Sequence, residues 1–89
     1  MPYHVPLQYY NYHSMEDFRK YISIDPNIRF GKPCIAGTRI SVSDILGWLA
    51  SDMSYEDILT DFPQLTREHI RAALAFAAER NNIKMLAAA

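Results

Sequence analysis

No surplus of positive charge marks this chain. Nine Lys and Arg stand against ten Asp and Glu, for a formal charge of −1. That balance lacks the overall basic footprint of a strong, non-specific nucleic-acid binder. Any DNA contact has to come from a local patch, from dimerisation or from a partner. With a single cysteine, Cys34, the chain cannot close an internal disulfide, and a reducing cytoplasm is the expected home. No apolar run approaches the roughly 20 residues of a membrane span. The opening MPYHVPLQYY has neither the basic nor the apolar region of a secretion signal. His4, His13 and His69 are scattered rather than set at ligand spacing, which counts against a metal centre.

What is present is one small domain's worth of ordinary globular composition, 89 residues at 49% hydrophobic and 21% charged. Residues 1–13 form a distinct segment in which Tyr3, Tyr9, Tyr10 and Tyr12 alternate with Pro, His, Gln and Asn and show no helical period. It reads either as a terminal arm or as a partner-binding or base-stacking arm, which aromatics suit. Ser14 and Asp17 then have the spacing of a capping box, and Met15, Phe18 and Ile22 give a short helix one apolar stripe. Tyr21 to Ile24 suits extended chain, and Asp25-Pro26-Asn27 signals a turn.

The stretch GKPCIAGTRISV, Gly31 to Val42, holds the ingredients of a phosphate-binding loop in the wrong order. Such a loop needs its lysine and hydroxyl together, where a glycine-rich turn meets a helix N-terminus. Here Lys32 and Thr38 lie at opposite ends, and Pro33 removes a backbone donor. A β-hairpin turning at Ala36-Gly37 is the economical reading, and no nucleotide or other cofactor is expected.

From Ser41 onward the chain is helical. Ser41/Asp44 and Ser54/Asp57 are two capping boxes, and Thr66 followed by Glu68 is a variant with its acid one place early. The first helix, about 42–51, turns Ile45, Leu46 and Leu49 inward, with Gly47 marking a close helix approach. The second, about 55–62, aligns Tyr55, Ile58, Leu59 and Phe62 and is stopped by Pro63. The third, about 67–81, aligns Ile70, Ala73, Leu74 and Ala77 and ends at Asn81-Asn82. The predicted fold is mainly α: a three-helix helix-turn-helix bundle, homeodomain-like or winged-helix-like, behind a short β-hairpin. Residues 1–20 make an arm and short helix, 21–82 the hairpin and helix-turn-helix domain, and 83–89 a tail.

The hairpin signature Asp25-Pro26, Gly31, Pro33, Ile35, Gly37-Thr38-Arg39 and Val42, followed by Ser54-Tyr55-Glu56-Asp57-Ile58-Leu59 and Phe62-Pro63-Gln64-Leu65-Thr66, resembles a bacterial domain-of-unknown-function family, number 433. The resemblance covers about residues 22–80. It implies a homeodomain-like fold, no established catalysis, and an antitoxin role beside PIN-like nuclease toxins.

In a helix-turn-helix the third helix is the one offered to the major groove, so Arg67, His69 and Arg71 are the candidate DNA contacts. Arg39 and Lys32, with Arg29, form the basic cluster in the middle of the chain and are candidates for phosphate or a partner's acid. The bland alternative for Gly37-Thr38-Arg39 is a turn glycine, a threonine bonding across the hairpin and an arginine pairing with a nearby carboxylate. Against DNA, Glu68 and Glu79 repel phosphates. Ala72, Ala75 and Ala78 with a flanking Phe76 suit helix packing or a dimer face. The interface candidates are Phe76, Ala72, Ala75, Tyr9, Tyr10 and Tyr12. Asp44 and Asp57 are explained as caps, Asp52, Glu56 and Asp61 as solvated, Cys34 as a small buried hydrophobe, and Trp48 and Met53 as core packing.

The expected function is a non-enzymatic, antitoxin-like DNA-binding regulator, a homodimer that contacts operator DNA and a partner toxin. Its rival is a protein-interaction module of the same fold that does not touch DNA.

Overall fold

The computed structural model describes the backbone of residues 17–88 and the side chains of 18–80. The expected Ser14 cap, the role of Met15 and the tyrosines of residues 1–13 fall outside these residues. The described residues open with a 3-10 helix, Asp17–Tyr21, which passes into strand β1, Ile22–Ser23. Ile22 thus belongs to the strand and not to a helical stripe. β1 pairs antiparallel with β2, Cys34–Ile35, with Ile22 opposite Ile35 and Ser23 opposite Cys34. The expected hairpin sits on the other edge of β2: Ile35 N–H donates to the Ile40 carbonyl at 2.9 Å, Val42 N–H to the Pro33 carbonyl at 2.9 Å, and Cys34 bridges to Ser41. β2 is therefore a central strand, while regular strand structure lies only on its β1 side.

Gly37 makes the turn at φ +79°, a conformation in which a side chain crowds its own backbone. Thr38 Oγ1 closes that turn. It donates to the Ile35 carbonyl at 2.8 Å and accepts the Ile40 N–H at 3.0 Å.

Three helices follow: α1 Val42–Ala50, α2 Tyr55–Asp61 and α3 Arg67–Ala88. The capping boxes form as the sequence spells them. Ser41 Oγ accepts from Asp44 N–H at 2.9 Å while Asp44 Oδ2 accepts from Ser41 N–H at 3.0 Å, and Ser54 and Asp57 repeat the exchange at 3.0 Å each way. Each box satisfies first-turn N–H groups that would otherwise lack partners.

α1 ends in a Schellman arrangement. Asp52 N–H donates to the Leu49 carbonyl and Met53 N–H to the Trp48 carbonyl, both at 3.1 Å, and Asp52 takes φ +69° at the position glycine usually holds. Gly47 does not mark a close approach, because a side chain there would meet nothing within 4 Å.

α3 runs past Asn81-Asn82 to Ala88. Two asparagines cost too little helix propensity to stop a helix that continues through Lys, Leu and Ala.

The core is a cluster of Ile35, Ile40, Val42, Ile45, Ile58, Leu65, Ile70 and Ala73. It joins the hairpin to all three helices, with Leu46, Trp48, Leu49, Met53, Tyr55, Leu59, Phe62 and Phe76 packed against it. Trp48 stacks on Phe62 with ring centroids 4.2 Å apart and planes 11° from parallel, pinning α1 to the end of α2. Leu74 is 39% exposed and stands outside the stripe expected for it. Among the described residues no helix is long and apolar enough to cross a membrane.

Candidate functional site

The helix-turn-helix places its basic side chains by simple means. Leu65, 4% exposed, anchors the turn between α2 and α3 in the core, and Thr66 opens α3 beside it. Thr66 N–H donates to His69 Nδ1 at 3.1 Å, and His69 N–H reaches Thr66 Oγ1 at 3.3 Å. This is a third reciprocal cap, with a histidine where an acid was expected. The sequence pointed to Glu68, one residue early; the third position belongs to His69, whose ring nitrogen can accept as a carboxylate does.

His69 is therefore half-buried and committed to the cap, its ring edge-on to Tyr21 at 5.3 Å. That contact brings the 3-10 helix to the start of α3 and with it Lys20, whose Nζ stands 5.3 Å from the Tyr21 ring centre. Neither Lys20 nor Tyr21 was singled out from the sequence, since only the tertiary contact to His69 relates them.

Arg67 and Arg71, one turn apart, are both exposed on α3. Arg67 pairs with Glu56 of α2 and lies over the Tyr55 ring at 5.4 Å. Glu56 is thus a partner and not merely solvated. The Arg67–Glu56 pair is more than half exposed on both sides, and such pairs hold by at most about 1 kcal/mol. A phosphate could displace it.

The basic cluster of the hairpin divides. Arg29, not Arg39, makes the carboxylate pair: its Nη1 donates to Asp44 Oδ2 at 2.9 Å and to the Arg39 carbonyl at 2.7 Å. The Arg29 hydrogen bond, helped by that from Ser41 N–H, holds the Asp44 carboxyl below the usual carboxylate range against the opposing effect of burial. Asp44 in turn raises the Arg29 guanidinium above its ordinary value. Lys32 and Arg39 stay exposed, and among the described residues neither forms an ion pair.

Backbone strain accompanies this pairing. Arg29, Phe30 and Gly31 take φ +52°, +58° and +83° in succession, and Phe30 is 101% exposed. Two non-glycine residues in that region cost roughly 1–2 kcal/mol each. Such strain persists only where the surroundings impose it.

The expected interface residues also divide. Ala72, at 2% exposed, is buried within the chain, so it is not part of an outward face. Ala75 is half-buried and Ala78 exposed. Phe76 does not flank the core but packs on it, and meets Phe18 edge-on with centroids 6.3 Å apart. The 3-10 helix takes the side of α3 that the alanine pattern suggested for a partner. Cys34, 1% exposed, lies 3.3 Å from the Lys32 carbonyl through its Sγ. Among the described residues no three of His, Cys, Asp and Glu gather closely enough to hold a metal ion.

Comparison with known proteins agrees with this architecture. A crystal structure of a DUF433 member protein from Anabaena variabilis superposes with a TM-score of 0.67 at 23% identity, covering 96% of this chain and 87% of the other. At that identity the likeness speaks for the fold. The uncharacterized protein y4eO of Sinorhizobium fredii is 36% identical over 59 residues, 66% of this chain but 27% of its own length. The chain therefore spans about a quarter of that relative. A family model described as "Protein of unknown function (DUF433)" matches residues 22–77, from strand β1 through the middle of α3. The chain belongs to the DUF433 family.

Proposed function

We propose that the protein is a non-enzymatic, antitoxin-like regulator that binds DNA through the start of α3 and acts as a homodimer with a partner toxin of the PIN-like nuclease kind. The observation that carries this reading is that Arg67 and Arg71 are exposed on the N-terminal turns of α3, the third helix of a helix-turn-helix, with Lys20 over the Tyr21 ring that meets His69. The chain's formal charge of −1 leaves little general attraction for DNA. These cations, with Arg67 released from Glu56 by a phosphate and the set doubled in a dimer through effective concentration, offset that. Lys32 and Arg39 on the hairpin are the next cations available to a phosphate, whereas His69 serves the group by capping the helix.

The test is electrophoretic mobility shift with the DNA upstream of the protein's own reading frame, over a range of salt. The expected result is a shift that weakens steeply with salt and whose log–log slope falls by about 0.9 for each of Arg67→Ala and Arg71→Ala. No shift at any salt overturns the reading. The second reading, an interaction module without DNA, is favoured by one observation, the fully exposed Phe30 on its strained turn. Association with a partner protein that Phe30→Gly abolishes and Arg71→Ala leaves intact supports it.

A further inference from the structure

Among the described residues, two apolar features stand apart from the core and the basic end. One is a knob. Phe30 is the aromatic side chain held fully in solvent among the described residues. Its turn cannot relax easily, because Arg29 is clamped to Asp44 and to the Arg39 carbonyl. The other is a hole. A cleft of about 340 Å³ opens between the 3-10 helix, β1 and α3, walled by Phe18, Ile22, Ile24 and Phe76 and edged by Arg19, Glu79 and Arg80. That is the lower end of the range for small-ligand sites, roughly 300–1,000 Å³.

The apolar walls of the cleft suit an aromatic occupant. Two of its walls are rings, and two guanidiniums stand over those rings: Arg19 at 5.9 Å from Phe18, where it also pairs at 2.9 Å with Glu79, which is turned toward the 3-10 helix and not outward, and Arg80 at 5.4 Å from Phe76. Rings accept another ring edge-on or offset, and guanidinium planes favour a π-face over an aliphatic side chain. Ile24, 61% exposed on the rim, adds apolar surface that needs a cover.

We propose that the knob and the hole belong to each other across a two-fold axis, Phe30 of each copy entering the cleft of a second copy of this chain. Phe30 is fully exposed on its own molecule, so it does not fill its own cleft. Ile24 on the rim and Phe30 are six residues apart around a turn closed by Ile28 N–H to the Asp25 carbonyl at 2.9 Å, and Gly31 packs near Pro26. One rim of the hole and the knob thus sit on one continuous stretch of chain, so that one approach of two copies brings both into play. A reciprocal pairing of this kind closes after two subunits. The positive φ values of Arg29 and Phe30 then have a purpose, aiming the ring outward. The proposal rests on the homodimer of the preceding reading and supplies its contact.

The test is sedimentation of the full chain, without DNA, from micromolar to millimolar concentration. Wild type is expected to dimerise. Phe30→Gly, which suits the backbone at φ +58°, and Ile24→Asp, at an exposed position, are each expected to stay monomeric with unchanged circular dichroism. Mixed in equal amounts, the two variants are expected to form a heterodimer, because one retains a hole and the other a knob. A monomeric wild type, a dimer that survives Phe30→Gly, or two monomeric variants that fail to pair when mixed each overturn the proposal. A dimer that survives Phe30→Gly locates the contact elsewhere. A wild type that is monomeric yet shifts DNA removes the pairing and leaves the DNA reading standing. A dimer that ignores DNA does the reverse.

Discussion

Two turns only a few residues apart solve one backbone problem in opposite ways. At Ala36-Gly37 the chain needs one left-handed residue and uses glycine there, in the open, with nothing within 4 Å of where a side chain would go. At Arg29–Gly31 it needs three, and only the last is glycine. The first turn is locally self-sufficient. The second is held from outside by Asp44, a residue whose other task is to cap α1. The difference separates a turn that serves the fold from one whose side chains have to be where they are.

Four substitutions or conditions break or sharpen that contrast. Asp44→Ala should have the largest effect. It removes the capping partner of Ser41 and the anchor of Arg29 together, and about 2 kcal/mol of destabilisation in urea unfolding is expected, mostly from the cap. Protease sensitivity should rise at the Arg29–Gly31 turn and not at Gly37. Gly37→Ala should cost about 1 kcal/mol, the strain of a side chain at φ +79°. If it costs nothing, the first turn is looser than described. At a concentration low enough for both proteins to be monomeric, Phe30→Gly should move the other way, stabilising by about 0.5 kcal/mol as left-handed strain is relieved and glycine's entropy partly cancels the gain. Equal destabilisation by Phe30→Gly and Gly37→Ala would erase the contrast.

The smallest effect is one of pH. The folded Asp44 carboxyl lies below its unfolded value of about 3.9, so its contribution is fully present above that value and is lost as pH falls through the folded one. Stability should fall more steeply below about pH 4 in wild type than in Asp44→Asn, as urea midpoints across acid pH would show.

What could be read from the sequence followed the range of the interactions. The helix starts at Val42 and Tyr55 were legible because a capping box is written within four residues, and Pro63 stops α2 just as locally. Thr66 was legible as a cap, but its partner was not, because histidine acts there as an acceptor in place of an acid. The pairing of Ile22–Ser23 with Cys34–Ile35 was hidden because two-residue strands carry no period. Arg29 was grouped with Lys32 and Arg39 by charge, yet only folding shows that one of the three is neutralised by Asp44. In the candidate site Arg67, His69 and Arg71 were nameable from the helix-turn-helix spacing, while Lys20 and Tyr21 enter through a contact that spans most of the chain.

The stack of Trp48 on Phe62 gives the molecule a built-in optical gauge. The chain has a single tryptophan, and it lies where α1 meets the end of α2. Its emission therefore reports the docking of those two helices, whereas far-ultraviolet dichroism is dominated by the 22 residues of α3. Unfolding followed by both signals at once shows whether the helix-turn-helix parts as a unit or opens first at α1.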